Sequence, residues 1–540
     1  MLHTRTAGLG PAERTTRLTP LLASLTSLLA LLASSPGRAQ LGEAGDRLIT
    51  AEDLPSVVTS PEARLGSALA QGDFDGDGAE DLAIGLPGRD QNAGQVVVVY
   101  SPGSSGAPDD EVWDQDSLST AGGSEPGDRF GNAVASGDFD GDGYDDLAIG
   151  AADEMIAGLT KAGVVHVLYG SADGLLLGTA ETLDGSAASG TTQASARFGV
   201  ALAAGDFDDD GRDDLAIGAR GERVGLAAQA GAVVVVYGAD GGLDLETAER
   251  WTQDNLGAAT GLDEAEAGDG FGWAFATGDF DGNGFDDLAV GAPLEDRQDQ
   301  EDVGALHLIH GHAEGLRAVG SQFLLADASV RQENSRFARA LAAGDFDGDG
   351  LADLAAGIPA YDFSGERDAG LVYLLFSAPG LGPQPSSFLV RGQANAGETP
   401  EDFDRAAAAL AAGDFDCDGD DDLVFGAPGE DVSTESGSAA GAGAIGVLPG
   451  DPLRLMSQGQ TWHQHSPGLG GAAEMLDEFG SSLAAIGFGG PCGGVAVGVP
   501  GESTLTASSS GAVHLILGTS RTFHDGFESG GLDAWSAASP

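Results

Sequence analysis

The stretch FGNAVASGDFDGDGYDDLAIGA, residues 130–151, sets five aspartates between two apolar segments. The aspartates fall within the nine residues from Asp138 to Asp146. Six such loops occur along the chain, and successive copies start 65 to 73 residues apart. Their first residues are Asp73, Asp138, Asp206, Asp279, Asp345 and Asp414. Regular recurrence at this period predicts an array in which each repeat is one supersecondary unit.

The composition limits both the secondary structure and the partners. Glycine makes up 88 of the 540 residues, which favours many tight turns and short strands over long helices. The formal net charge is −61, from 85 acidic and 24 basic residues. A surface of this sign repels nucleic acid and anionic membranes, so neither is an expected partner. Like charges at this density also repel one another, and divalent cations would relieve that repulsion.

The chain begins with a pattern typical of a secretion signal. Three arginines, the last of them Arg17, precede the apolar stretch Leu21–Ala33, and small residues follow near Ala39. Thirteen apolar residues are too few to span a bilayer. Residues 1–39 are therefore predicted to be a signal peptide, and the mature chain a secreted or periplasmic protein without a membrane span. Residues 519–540 are predicted to be a flexible C-terminal tail.

Each aspartate loop belongs to a longer repeat. An aromatic residue with glycine, or a variant of that pair, precedes the loop, and an apolar segment ending in Gly and a small residue or Pro follows it, as in DLAVGAP at 287–293. A second β-rich run comes next, such as GVVHVLYG at 163–170. The pairs before the loops are Leu65-Gly66, Phe130-Gly131, Phe198-Gly199, Phe271-Gly272, Phe337-Ala338 and Phe403-Asp404. A seventh copy, FGSSLAAIGFGGPCGGVAVGVP at 479–500, keeps the flanking segments but has no aspartate in its loop.

The apolar runs predict an all-β fold. They are short, rich in Val, Ile and Leu, and bounded by Gly, Pro or Asp, as strands are. A weaker fourth strand is predicted around VWDQD at 112–116, RWTQD at 250–254 and TWHQH at 461–465. Three to four strands per repeat fit one blade of a β-propeller, whereas the alternative, a linear β-solenoid, usually has shorter repeats.

We therefore predict a seven-bladed β-propeller over residues 40–518, with a strand near residues 46–58 completing the last blade. Ring closure of this kind leaves no bare sheet edge. The repeat cores are placed near residues 64–100, 129–170, 197–238, 270–311, 336–376, 402–449 and 478–518.

The loops follow the pattern D-x-D-x-D-G-x-x-D, in which positions 1, 3 and 5 direct oxygen donors into one concavity, position 7 can offer its carbonyl and position 9 completes the set. Hard oxygen donors in a flexible loop favour Ca²⁺, and about six ions are expected. An EF-hand would need an acidic residue at position 12, where all six copies have an apolar residue. The predicted ligands are Asp73, Asp75, Asp77, Ala79, Asp81, Asp138, Asp140, Asp142, Tyr144, Asp146, Asp206, Asp208, Asp210, Arg212, Asp214, Asp279, Asp281, Asn283, Phe285, Asp287, Asp345, Asp347, Asp349, Leu351, Asp353, Asp414, Asp416, Asp418, Asp420 and Asp422.

The order of Phe-Gly, aspartate loop and Gly-Ala-Pro, as in residues 271–293, resembles the FG-GAP repeats of the integrin α-subunit propeller and its bacterial secreted relatives. The resemblance covers roughly residues 46–518. It implies a seven-bladed propeller with Ca²⁺ on one face and a ligand surface on the opposite face. It also implies adhesion or ligand recognition, with an extracellular protein or polysaccharide as partner. The chain lacks the integrin α inserted domain, leg domains and C-terminal membrane helix, so signalling across a membrane is not implied.

Two other functions stay open at this point. One is a hydrolase or lyase acting on a carbohydrate or lipid, although no nucleophile elbow, HExxH helix or phosphate-binding glycine loop is present and the expected protein is not an enzyme. The other is a structural surface module with no soluble ligand. The expected form is a monomeric propeller.

Histidines and cysteines give three smaller predictions. His166, His307 and His514 recur at one position of the repeat, which indicates a structural role, and His310 with His312 could bind a transition metal but lack a third ligand. Cys417 and Cys492 both follow the first strand of adjacent repeats, and export would allow them to pair.

Overall fold

A computed structural model of the chain describes residues 46–57, 60–101, 107–108, 110–118, 123–260, 264–297, 299–384, 388–391, 399–434, 437–452, 459–487, 492–504 and 507–518. All of them belong to one unit, Arg38–Pro540. The predicted signal peptide, residues 1–39, and the predicted tail, residues 519–540, lie outside the described residues.

Thirty strands make up nearly all of the regular structure. Two short helical segments, α1 at Arg89–Asn92 and α2 at Gln253–Thr260, and a 3₁₀ turn at Ala187–Ser189 accompany them. The strands are β1 Arg47–Thr50, β2 Leu69–Gly72, β3 Asp81–Leu86, β4 Gln95–Val99, β5 Asp110–Trp113, β6 Phe130–Gly137, β7 Asp146–Ala151, β8 Val164–Tyr169, β9 Leu176–Asp184, β10 Leu202–Gly205, β11 Asp214–Gly218, β12 Val233–Ala239, β13 Gly242–Trp251, β14 Phe275–Gly278, β15 Asp287–Ala292, β16 Ala305–His310, β17 Arg317–Leu324, β18 Leu341–Gly344, β19 Asp353–Ile358, β20 Leu371–Leu375, β21 Phe388–Arg391, β22 Leu410–Gly413, β23 Asp422–Ala427, β24 Val432–Thr434, β25 Gly437–Ala439, β26 Ala444–Leu448, β27 Gln460–Trp462, β28 Leu483–Ile486, β29 Gly494–Val499 and β30 Ala512–Leu517.

The strands form seven four-stranded antiparallel sheets, one per repeat. In blades 1 to 5 the strands pair in chain order, from β2-β3-β4-β5 to β18-β19-β20-β21. Blade 6 is β22-β23-β26-β27, with the hairpin β24-β25 inserted, and blade 7 is β28-β29-β30-β1. The predicted seven-bladed, all-β propeller is confirmed. The fourth strands of blades 1, 3 and 6 end at Trp113, Trp251 and Trp462. The last three residues of each predicted segment, such as 114–116, therefore lie outside the strand.

The ring closes through the N-terminal strand. β1 pairs with β30, from Arg47 opposite Leu515 to Thr50 opposite Ala512, and so completes blade 7 as predicted. The innermost strands β2, β6, β10, β14, β18, β22 and β28 contact one another in that order, and β28 contacts β2 again. Each innermost strand therefore contacts the innermost strands of both neighbouring blades, which closes the ring.

One backbone hydrogen bond recurs at every blade junction. The amide of the first repeat residue donates to a carbonyl of the preceding blade, as from Phe130 to Ala93 at 2.9 Å and, where the ring closes, from Leu65 to Ser510 at 3.0 Å. In blade 6 the donor is Ala406. The predicted pair Phe403-Asp404 is therefore wrong. Ala406 and Ala407 take that place, and Phe403 lies three residues earlier with 42% of its surface exposed.

The glycine of the Gly-Ala-Pro segment allows adjacent blades to approach each other closely. A Cβ atom on Gly150 would lie 2.1 Å from the carbonyl oxygen of Gly199 in the next blade. Every blade has the same approach, which no larger residue could make without moving the backbone. The recurring glycine is therefore a packing requirement of the ring.

Candidate metal centres

Each aspartate loop closes the hairpin between the two inner strands of a blade. The glycine before the loop pairs with the aspartate at position 9, as Gly137 does with Asp146. The same pairing occurs in all six acidic repeats. The position-12 residues, such as Ile149, are buried inside the second strand, so no EF-hand geometry is possible.

The first aspartate folds the loop around itself. The carboxylate of Asp138 accepts the amides of Asp142 at 3.1 Å and Gly143 at 3.0 Å. The position-5 carboxylate of Asp142 in turn accepts the amide of Tyr144 at 3.1 Å. Equivalent bonds occur in all six loops. These bonds fold the loop around position 1. The oxygens of positions 1, 3 and 9 converge in the first, second and fifth loops, whereas those of positions 1, 3 and 5 converge in the third.

The aspartate at position 9 is fixed by the strands themselves. Asp146 is fully buried, and its Oδ2 accepts the Phe139 amide at 2.8 Å while its Oδ1 accepts the Gly170 amide at 2.9 Å. The second bond reaches the end of the third strand, and its equivalent is present in all six loops. Position 9 therefore ties three strands of a blade to the loop.

Burial makes these carboxylates costly to ionise. It raises the pKa of Asp81 to about 7 and the pKa of Asp146, Asp214, Asp353 and Asp422 to about 8, and repulsion from the other loop aspartates adds to the rise. A bound cation would offset both effects, because it supplies positive charge at the centre of the loop and so favours the ionised carboxylates.

The carboxylates converge as a cation site requires. Ligand atoms lie within 4.8 Å of one another in several loops, and one such set comprises Asp138, Asp140 and Asp146. One oxygen each of Asp75, Asp208 and Asp353 is buried and accepts no hydrogen bond, so it has donor capacity to spare. All-oxygen donors of this kind fit Ca²⁺. Other converging oxygen sets include Asp73, Asp75 and Asp81; Asp206, Asp208 and Asp210; and Asp345, Asp347 and Asp353, while in blade 4 Asp281 and Asp287 converge with His310.

Blade 4 differs from the other five loops. Asn283 replaces the position-5 aspartate, and the imidazole of His310 enters the loop, with Nδ1 3.2 Å from Asp287 and 3.5 Å from Asp281. His312 does not join it, because its ring stacks on Phe285 at 5.9 Å. The two histidines therefore do not form a pair of metal ligands. The groups that accompany His310 are the carboxylates of Asp281 and Asp287.

Position 8 of the loop forms a contact between neighbouring blades that the sequence analysis did not predict. The Asp145 carboxylate accepts the Asp73 amide of the preceding blade at 2.8 Å, and the Asp145 amide donates to the Asp73 carbonyl at 3.1 Å. Asp213, Asp286 and Asp421 make the same paired contact, whereas Ala352 has only the backbone half. An acid at position 8 in five of the six copies was the signal in the sequence.

Blade 7 has a covalent link where the other blades have an acidic loop. Cys417, at position 4 of the sixth loop, is disulfide-bonded to Cys492, and their Cα atoms are 5.0 Å apart. The predicted proximity is confirmed. The recurring histidines are structural as predicted: the rings of His166, His307 and His514 pack on the first phenylalanine of their repeats at 5.1 to 5.6 Å.

The family match follows the blades. The FG-GAP repeat family matches residues 65–99, 130–168, 198–236, 271–309, 337–375 and 406–448. Each segment covers the three inner strands of a blade and its aspartate loop. The chain is an FG-GAP repeat propeller. The sixth match begins at Ala406, in agreement with the hydrogen-bond register of that blade.

The FG-GAP propeller resembles the N-terminal domain of integrin α subunits. Integrin alpha-PS2 of Drosophila melanogaster is 32% identical over 250 residues, which are 45% of this chain and 16% of that protein. Phosphatidylinositol-glycan-specific phospholipase D of Rattus norvegicus is 34% identical over 165 residues, which are 30% of this chain and 19% of that protein. The FG-GAP propeller thus spans less than a fifth of the length of either relative.

A solved structure of an exotype rhamnogalacturonan lyase is 14% identical, with a TM-score of 0.39, over 90% of this chain and 75% of its own. That likeness is too distant to bear on function. Among the described residues of the FG-GAP propeller, no helix is long and apolar enough to cross a membrane.

Proposed function

We propose that this FG-GAP propeller is a secreted recognition module that binds about six Ca²⁺ ions on one face and an extracellular ligand on the other. The observation that carries the proposal is the division between the two faces. The aspartate loops all follow the first strand of a blade, whereas the long, dissimilar loops at 86–94, 293–304 and 428–443 follow the second strand and so lie at the opposite end. Recognition loops on a rigid scaffold have this arrangement.

Calcium would have a structural role in this protein. The carboxylates at positions 1, 3, 5 and 9 would hold each ion, together with the carbonyls of Ala79, Tyr144, Arg212, Phe285, Leu351 and Asp420. The bound ions would neutralise the loops and leave the opposite face rigid and free to bind. The proposed partner is an extracellular protein or polysaccharide, and the proposed form is a monomer.

The competing function is an enzyme that acts on a carbohydrate or lipid. One experiment separates the two: the immobilised full chain is incubated with glycan and protein libraries, with and without calcium, and the bound and released material is analysed by mass spectrometry. Reversible, calcium-dependent binding with no new product supports recognition. Formation of a product would replace it with catalysis, and no binding in either state would leave a structural module.

A further inference from the structure

Basic residues collect on the face opposite the aspartate loops. Each inner strand runs from that face toward its loop, so the residue before the repeat lies at the end far from the aspartates. Five of the seven repeats have arginine there, in a chain with 24 basic and 85 acidic residues. The five are Arg64, Arg129, Arg197, Arg336 and Arg405.

Around blades 2 and 3 these cations outnumber their acidic partners. Asp153, whose side chain is only 7% exposed, is shared by Arg129 at 3.5 Å, Lys161 at 3.5 Å and Arg197 at 3.2 Å. One carboxylate thus faces three positive charges. This clustering of cations around one carboxylate stands out in a protein whose net charge is −61.

Two further arginines lie beside this group. The guanidinium of Arg220 lies 3.8 Å from the ring centre of Trp273, and that of Arg339 lies 4.5 Å from it. No carboxylate of the described residues forms an ion pair with either, and the Nε of Arg220 is buried and donates no hydrogen bond. Burial and repulsion from neighbouring arginines lower the pKa of both to about 10, so both stay charged at neutral pH. Asp153 attracts Arg220 but already pairs with three other cations. Half-buried charges without a paired carboxylate are costly unless a ligand supplies one.

The cations line an open space with polar walls. Lys161, Arg197, Arg220 and Trp273 border a cavity of about 160 Å³ together with Ser195 and Gln229. Lys161 also borders a second cavity of about 320 Å³, where Arg129 and Asp153 face Glu125 and Asp128. We call these four cations, Arg129, Lys161, Arg197 and Arg220, together with Arg339, which contacts the wall residue Trp273, the cationic cleft. The only large aliphatic side chains on its walls, within the described residues, are Leu294 and Met155.

We propose that the cationic cleft binds the carboxylates of an acidic polysaccharide, a polymer that contains uronic acid units. This rests on the proposed function, because it names the ligand of the recognition face. Guanidinium groups bind carboxylates with paired hydrogen bonds, and the hydroxyl and amide groups of the walls suit sugar hydroxyls. The apolar anchors that the walls offer a protein partner are limited to Trp273, Leu294, Met155 and Pro126, while the other wall residues are polar, charged or glycine. The acidic surface elsewhere repels a polyanion and so directs it to the cleft.

The test uses the calcium-loaded full chain and isothermal titration calorimetry. The probes are hyaluronan and short alginate oligomers, each with its esterified form, which has the same backbone but no charge. We expect binding to the acids, at least about tenfold weaker binding to the esters, and weakening as salt rises from about 50 to about 300 mM. Arg220→Gln with Arg339→Gln should lower the affinity at least about tenfold. Asp153→Asn should raise it, because that change removes the competing carboxylate.

The matched control is Arg64→Gln with Arg405→Gln, which removes the same charge from the same face outside the cleft and should change affinity by less than about twofold. Unchanged melting temperatures would establish that the variants fold. Equal affinity for acid and ester, no binding of either polyuronate, or equal effects of the two double variants would overturn the proposal. Binding of polyglutamate with the same dependence on Arg220 and Arg339 would replace the polysaccharide with an acidic protein. If the library screen finds a ligand that these variants do not affect, the recognition function stands and only the cleft fails.

Discussion

At the scale of the residue, the carboxylates of a loop repel one another, and a bound cation would offset that repulsion. Asp140 is a ligand candidate whose pKa is raised by burial and by its neighbours Asp142 and Asp138. We expect Asp140→Ala to remove one of the six bound ions and, at calcium a hundredfold above Kd, to cost about 2.7 kcal/mol of unfolding free energy. In chelator the same change should leave the free energy of unfolding unchanged or raise it, because it removes a charge that repels its neighbours.

Calcium titration by calorimetry and denaturant unfolding would check this expectation. Asp173→Ala, an exposed aspartate outside the loops, provides the matched loss of charge and should leave the ion count unchanged. A full set of ions in Asp140→Ala would contradict the ligand assignment.

His310 makes the fourth site different. Burial lowers the pKa of the imidazole, but its neighbours Asp287 and Asp281 outweigh that effect and raise it, so they favour a protonated ring that would take the place of a cation. A calcium ion must displace that proton, and the affinity of this site should rise as the pH rises through the imidazole pKa. Blades 2 and 3 have Tyr169 and Tyr237 at the same position.

We therefore expect His310→Tyr to strengthen the weakest site of the wild-type protein and to remove its pH dependence, as measured by calcium titrations at several pH values. Asn283→Asp provides a second variant, which should strengthen the same site by adding charge while keeping the pH dependence. A fourth site of ordinary strength in the wild type would contradict both expectations.

Residues that act within one loop could be predicted from the sequence, and those that act across blades could not. The alternation of Asp138, Asp140 and Asp142 implies a shared concavity because neighbouring positions face apart. Asp145 contacts Asp73 only because the ring places their blades side by side, and His310 reaches its loop from the end of the third strand. The spacing of residues along the chain reveals neither contact. The Phe403 error has the same origin, since only the contact with the preceding blade identifies Ala406 as the start of the repeat.

At the scale of the element, neighbouring loops are joined in a chain of paired hydrogen bonds that has one gap. Ala352 leaves the Asp279 amide without the carboxylate that the equivalent amides receive. We expect Ala352→Asp, with calcium present, to stabilise the protein by about 1 kcal/mol, the usual net value of a buried hydrogen bond. Asp213→Ala, which opens an equivalent gap, should destabilise it by about 1 to 3 kcal/mol.

Denaturant unfolding of the two variants beside the wild type would measure both changes. Their opposite signs separate a specific link between blades from a general effect of charge, because the stabilising variant adds negative charge to an acidic protein. A lower stability for Ala352→Asp would sink the idea.

Blade 7 is joined to blade 6 by a disulfide instead of the position-8 hydrogen bonds that join other neighbouring blades. The bond between Cys417 and Cys492 closes a segment with a sequence separation of 75. Chain entropy then predicts a loss of up to about 4 kcal/mol for Cys417→Ser with Cys492→Ser. Scanning calorimetry would report the loss as a lower melting temperature, and reduction of the wild type should reproduce it. The double variant should not respond to reductant.

At the scale of the whole molecule, the response to pH should change sign with calcium. Five of the six position-9 aspartates ionise near 3.8 when unfolded but have a pKa of about 7 to 8 in the metal-free fold, and burial also raises the pKa of the sixth, Asp287. The fold then keeps protons that the unfolded chain has lost, so metal-free stability should fall as the pH rises from about 4 to about 8. With excess calcium, protons compete with the ion, and stability should rise over the same range.

Melting curves of stripped and calcium-loaded protein at about pH 5 and about pH 8 would test this. The loaded protein should melt at a far higher temperature at the upper pH. Two curves with the same slope, or a melting temperature indifferent to metal removal, would refute a calcium role.

The fold as a whole was the most predictable feature. Seven repeats with strand-like runs imply seven blades, and the seventh repeat was visible from its flanking segments despite its missing aspartates. The cationic cleft was not predictable, because Arg129, Lys161, Arg220 and Arg339 come from three blades and gather only after the ring has closed. A site built from several repeats leaves no motif in any one of them.

The pairing of β1 with β30 also determines which face of the propeller would point outward if the protein were attached to a surface or to another chain. The two strands are antiparallel, so the chain enters at Arg47 and leaves after Leu517 side by side. Both points lie at the end of the blade where the aspartate loops are, since β30 runs toward that end. A tether attached close to Arg47 or Leu517 would hold the face of the aspartate loops toward its anchor and turn the arginine-rich face outward.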